Sequence, residues 1–91
     1  MKATLMVSFV TEKNEGSQGF ASLEVDLPFA PTCDIGIAHP VWKWARKPEA
    51  VEYDLHEEKF TVSFGFEKIP AKENRAQLVD MYQSHGWTVR P

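Results

Sequence analysis

The chain has 91 residues, of which 43% are hydrophobic and 25% are charged, and its formal net charge is −3. This length predicts a single domain spanning residues 1–91, and the apolar share excludes a chain too polar to build a core. The slight acidic excess argues against a dedicated nucleic-acid-binding protein, because such proteins usually carry a basic surplus.

Cysteine content and hydropathy bear on location. Cys33 is the only cysteine, whereas small secreted domains usually need several disulfides, so we expect a reducing, cytoplasmic environment. The first ten residues, MKATLMVSFV, alternate like a strand and do not resemble a signal peptide. No stretch approaches the roughly 20 apolar residues of a membrane span, and we expect no membrane partner.

Four segments alternate apolar and polar residues with a period of two, which is typical of strands with one dry and one wet face. The apolar positions are Ala3, Leu5, Val7 and Phe9; Ala21, Leu23, Val25 and Leu27; Val51, Tyr53 and Leu55; and Phe60, Val62, Phe64 and Phe66. Parallel strands buried on both faces would show continuous apolar runs instead. The pattern therefore predicts a mostly antiparallel sheet with these side chains in the core.

The connections predict two hairpins. A polar, glycine-containing loop at 12–19 joins the first two strands, and the short HEEK segment at 56–59 joins the third and fourth. Residues 28–48, which we call the strap, lie between the hairpins and contain four prolines. A connection of this length in so small a domain usually has a function or covers something.

The last third of the chain changes to a helical period. Over residues 71–85, the stripe consists of Leu78, Met81, Tyr82 and His85. Pro70 suits the first helical turn, and Gly86 suits the left-handed residue that ends a helix. The final WTVRP predicts a short closing strand or a docked tail. The fold class is thus α+β: a mostly antiparallel sheet of four or five strands, in two hairpins, with one C-terminal helix packed on one face.

A single helix is too narrow for such a sheet. Four or five strands at ~4.8 Å spacing make a face roughly 20–24 Å wide, whereas a helix is about 10 Å across. Large exposed apolar surfaces are unusual for a soluble monomer. We therefore expect the strap or a second copy of the chain to cover the remainder.

The most distinctive part of the strap is HPVWKWARKP at 39–48. If this segment is extended, as its prolines favour, both tryptophans point to the same side. They then either complete the core or anchor a partner, since tryptophan and arginine dominate interface energetics. The predicted partner-binding residues are Trp42, Lys43, Trp44, Arg46 and Lys47.

Residues with metal-binding or nucleophilic chemistry are sparse. Cys33 and the histidines at 39, 56 and 85 do not have the close pairs typical of zinc sites. A Cys33–His39 nucleophile pair has no evident orienting group. We therefore expect no metal, no cofactor and no catalytic residue.

Together these features predict a small non-catalytic binding or regulatory module that acts through protein–protein contact, as a homodimer. The alternative is a small nucleic-acid-binding protein. In that case segment 41–47 would supply stacking surfaces and neutralise phosphates.

Overall fold

A computed structural model describes residues 1–11, 17–69 and 75–90. Its elements are β1 (Lys2–Thr11), β2 (Ser17–Asp26), β3 (Ala50–Asp54), β4 (Lys59–Ile69), α1 (Arg75–Ser84) and β5 (Thr88–Arg90). The strands form a five-stranded sheet in the order β3-β4-β1-β2-β5. The predicted α+β class, with a mostly antiparallel sheet and one C-terminal helix, is confirmed.

The sheet departs from the prediction in one pair. β1 and β4 are parallel, whereas the pairs β1–β2, β3–β4 and β2–β5 are antiparallel. Strands that run in the same direction need a long crossover, and two connections are of this kind: the strap between β2 and β3, and α1 between β4 and β5. The antiparallel β1–β2 pair agrees with the first predicted hairpin, although residues 12–16 of its loop lie outside the described residues.

The core lies on the face of the sheet that the two crossovers cover, which we call the inner face. The buried strand residues include Ala3, Leu5, Val7, Phe9, Ala21, Val62 and Phe64. Val41 and Trp42 of the strap belong to the same cluster, as do Leu78 and Tyr82 of α1. The expectation that the strap supplements the helix as a cover is confirmed.

The inward alternation of β4 ends at Gly65, which has a φ of +78°. The register between β1 and β4 shifts here, and an extra residue in one strand, a β-bulge, reverses which side chains face inward. Phe64 is 5% exposed, whereas Phe66 is 68% exposed on the opposite face. The prediction that Phe66 lies in the core is therefore wrong, and Ile69 is buried instead.

The second hairpin forms as predicted, but its first strand is shorter than the alternation indicated. β3 ends at Asp54, whose carboxylate accepts the backbone N–H groups of His56 and Glu57 at 2.9 and 3.0 Å. Leu55 falls in this turn and is 84% exposed, and Tyr53 is also exposed. Both were predicted to be core residues, and both predictions are wrong. Leu55 lies beyond the end of β3, and Tyr53 lies on this edge strand, where its described ring contact is with Phe60.

The C-terminal elements follow the predicted order. Leu78 and Tyr82 are the buried residues of α1, and Gly86 follows the helix with a φ of +90°, as expected for a helix end. The predicted helix start at Pro70 lies outside the described residues. α1 is too short and too polar to cross a membrane, and no other helix in the described part of the chain could.

Candidate functional site on the strap

The strap folds back on itself instead of running straight. Ile37 and Arg46 exchange backbone hydrogen bonds of 2.8 and 3.0 Å, which closes a loop that we call the strap loop (residues 37–46). Inside it, the N–H of Trp42 donates to the carbonyl of His39 at 2.9 Å. This turn interrupts the extended backbone, so residues two apart no longer point to the same side.

Trp42 fastens the strap loop to the core. Its side chain is 6% exposed, and its ring centroid lies 4.7 Å from that of Phe64 and 5.8 Å from that of Trp87. The indole Nε1–H donates to the Tyr82 hydroxyl at 2.9 Å. Trp42 therefore joins the strap to both the sheet and the helix.

The Tyr82 hydroxyl is well suited to this acceptor role. The side chain is completely buried, with its ring 5.3 Å from Phe9 and 5.1 Å from Trp87. Burial, reinforced by the charge of Glu67, raises the pKa of Tyr82 to about 12. The phenol therefore stays neutral at pH 7, and it accepts the indole N–H through a lone pair of the hydroxyl oxygen.

Arg46 connects the strap loop to β4 and packs on Trp42. One guanidinium nitrogen lies 2.7 Å from a carboxylate oxygen of Glu67 on β4, and Cζ lies 5.0 Å from the centroid of the Trp42 ring. Both side chains of the ion pair are mostly shielded from solvent. The guanidinium is thus already paired and stacked within the protein.

Trp44 has the opposite environment. It is 74% exposed, and its described ring contact is with Lys43, whose Nζ lies 5.7 Å from the ring centroid. Lys47 is also exposed. The prediction that Trp42 and Trp44 share one face is wrong, since the backbone bends at Lys43 and Trp44. Partner binding by the five predicted residues stays a prediction.

His39 lies where the strap meets the end of the helix. Its ring centroid is 5.3 Å from that of Trp87 and 6.3 Å from that of His85, and its Nδ1 accepts the N–H of Val41 at 3.2 Å. Burial, with a smaller contribution from the charge of His85, lowers the pKa of His39 below 6.5. At pH 7 the neutral His39 ring therefore packs with the side chains that cover the inner face of the sheet.

Metal-binding and nucleophilic side chains are not gathered into a site in the described residues. Cys33 is exposed as a free thiol, and His56 lies in the β3–β4 turn. Within residues 1–11, 17–69 and 75–90, no three or more His, Cys, Asp or Glu side chains are placed to hold a metal ion.

Sequence reasoning missed an aromatic pair on the side of the sheet opposite the strap. Phe66 and Phe20 each lie opposite Ser8 of the central strand, one on either side of it. The available signal was Gly65, since a glycine within a strand pattern often marks a bulge.

No protein-family model matches the chain, and no curated protein or solved structure matches it. Function is therefore inferred from the geometry of the strap loop and the sheet.

Proposed function

We propose that this protein is a non-catalytic binding module that acts through protein–protein contact, with Trp44 as the anchor. The observation that carries the proposal is the exposure of Trp44 on a loop whose neighbouring residues are fixed. Tryptophan is enriched among the few residues that dominate binding energy at interfaces. When a partner covers a large apolar ring that was exposed to solvent, the free energy of the system falls.

The strap loop is organised before any partner arrives. Trp42 holds it to the core, and the Arg46–Glu67 ion pair holds it to β4. The chain entering the loop lies close to its far end, because a Cβ placed on Gly36 would lie 3.5 Å from that of Ala45. A loop already ordered in this way loses little conformational entropy on binding.

The charges beside Trp44 favour an acidic protein partner. Lys43 lies over the ring and Lys47 is exposed three residues further along the chain, and both suit the polar rim of an interface. Arg46 is occupied by Glu67, so the loop offers fewer free cations than the sequence indicated. This loss, together with the net charge of −3, makes a protein partner a better fit than nucleic acid, which requires several phosphates to be neutralised. A reducing, cytoplasmic location is part of the proposal, since Cys33 is the only cysteine and its thiol is exposed.

The test compares proteins captured from a cell extract by the wild-type chain, Trp44→Ala and Phe66→Ser. Phe66 is the matched control because it is a similarly exposed aromatic on the other face of the sheet. A protein retained by wild type and Phe66→Ser but lost with Trp44→Ala supports the proposal. If both variants retain every captured protein, or both lose it, Trp44 is not the anchor. Fluorescence anisotropy with single-stranded DNA and RNA tests the alternative, since salt-sensitive binding that disappears in Lys43→Ala/Lys47→Ala would indicate a nucleic-acid site.

A further inference from the structure

The face of the sheet opposite the strap and α1 has neither of these elements packed on it. It consists of the even-numbered side chains of β1, from Lys2 to Ser8, and the residues that pair with them on neighbouring strands. We call it the open face. The strap and helix residues of the buried cluster all pack on the inner face instead.

One end of the open face is aromatic and basic. Phe20 and Phe66 flank Ser8, and Arg90 pairs with Phe20 at the edge of the sheet. Lys68 follows on β4, beyond Phe66, and is exposed like Arg90. Neither cation forms an ion pair with another described residue.

The other end is acidic. Its four carboxylates belong to Glu24, Asp26, Glu52 and Asp54 on β2 and β3. Three cations offset them in part: the Nζ of Lys59 lies 3.6 Å from Glu24, the Met1 ammonium lies 2.7 Å from Asp26, and Lys2 pairs with Asp26 across the strands. The end is therefore weakly acidic, and Glu52 and Asp54 are its carboxylates without a described ion pair. At this end the β3–β4 hairpin forms a hollow of about 430 Å³, whose lining includes Glu52, Asp54 and the exposed Leu55.

We propose that the open face binds a second copy of this chain, with a two-fold axis that lies in the interface and crosses the strands. This axis places the aromatic, basic end of each copy over the acidic end of the other. β4 then lies over β4, so Phe66 and Lys68 approach the hollow beside Leu55 of the second copy. Two-fold interfaces must be self-complementary, and the separation of charge along the strands provides this for the described residues.

The area is adequate for such a dimer. Five strands at ~4.8 Å spacing are about 24 Å wide, and strands of up to eleven residues at ~3.3 Å per residue are about 36 Å long. Because β3 and β5 are short, the face covers roughly 600–700 Å² in each copy. Two copies together reach the lower part of the standard interface range of about 1,200–2,000 Å².

Single-stranded nucleic acid is the competing occupant, since aromatic and basic groups together can stack bases and neutralise phosphates. It would have to run along a face whose other end is acidic, with Glu52 and Asp54 outside the described ion pairs. A second copy satisfies both ends at once, and the charge pattern therefore favours it. The inference concerns a surface distinct from Trp44 and does not depend on the proposed function.

Sedimentation equilibrium of the full chain at low salt tests the dimer. We expect a monomer–dimer equilibrium that Phe66→Ser weakens at least about tenfold, because it removes one aromatic anchor from each copy. Trp44→Ala, on the strap, should leave the equilibrium unchanged, so failure of the dimer and failure of the Trp44 proposal can be told apart. Circular dichroism confirms that each variant is folded.

Charge reversal tests the arrangement without touching the aromatic residues. Lys68→Glu/Arg90→Glu makes both ends acidic, and Glu24→Lys/Glu52→Lys makes both ends basic. Each variant should be monomeric alone, whereas an equal mixture should form a heterodimer. The proposal is overturned if the wild type stays monomeric up to about 1 mM, which would leave an interface too weak to be specific. It is also overturned if the dimer is insensitive to these variants, or if Phe66→Ser abolishes oligonucleotide binding while the wild type stays monomeric.

Discussion

Replacing the two strap tryptophans separately by alanine is expected to have very different effects on the stability of the fold. Trp42 is 6% exposed and donates a hydrogen bond to Tyr82, whereas Trp44 is 74% exposed and makes its described ring contact with a lysine. The substitution is chemically identical at both positions. Any difference therefore reports how much of each side chain the fold removes from water.

The magnitudes follow from burial. A tryptophan buries about 150–250 Å², so covering nearly all of Trp42 corresponds to roughly 3.5–6 kcal/mol at ~25 cal/mol per Å². Truncation of buried aromatic residues to alanine usually costs about 3–5 kcal/mol. A domain of this size has a free energy of unfolding of about 5–14 kcal/mol, so Trp42→Ala should remove at least about a fifth of it. Trp44→Ala should change it by less than about 1 kcal/mol, as is usual at exposed positions.

Urea denaturation followed by far-ultraviolet circular dichroism measures both changes, provided that the slope of the free energy against urea concentration stays constant. Trp42→Phe is the matched control, since it keeps an aromatic ring and loses the indole N–H. It should fall between the wild type and Trp42→Ala. If Trp42→Ala and Trp44→Ala are destabilised within about 1 kcal/mol of each other, the strap is not held by Trp42 and its role as a cover for the core is wrong.

Three further outcomes are expected. Tyr82→Phe removes the acceptor of the buried Trp42 N–H and should lower the free energy of unfolding by about 1–3 kcal/mol; a loss under about 0.5 kcal/mol in urea titrations would contradict this. Gly65→Ala should cost about 1–2 kcal/mol because its φ is +78°, and adding Glu49→Ala should not restore stability, since the flexible carboxylate close to the new Cβ can move aside. The lowered pKa of His39 means that, as the pH falls below 6.5, the unfolded chain takes up this proton before the folded chain does. The stabilising contribution of neutral His39 is therefore complete above the pKa that this residue has in the unfolded chain, and it declines below that pKa. His39→Gln should thus flatten the fall in melting temperature between about pH 7 and pH 5. An unchanged slope would refute the assignment.

The alternation of apolar and polar residues, together with the turn-forming residues, was enough to predict most of the local structure. The period of two in β1 placed Ala3, Leu5, Val7 and Phe9 in the core, and all four are buried. The short HEEK segment and Gly86 correctly marked a hairpin and the end of the helix. Because one helix is too narrow to cover the sheet, the strap was also correctly predicted to cover part of its inner face. These features depend on the chain's own periodicity and turn residues, which are local properties.

Only the tertiary structure decided which side chains remain outside. The bulge at Gly65 turns Phe66 away from the core, and its position is a matter of register between β4 and β1. The turn and the bend that follows it in the strap bury Trp42 and expose Trp44. They are held by contacts with Tyr82 and Glu67, which are distant in sequence. One inserted residue or one turn reverses the side to which every later side chain points. Alternation predicts which residues could be buried, whereas the partner strand and the packing of the crossovers determine which of them are.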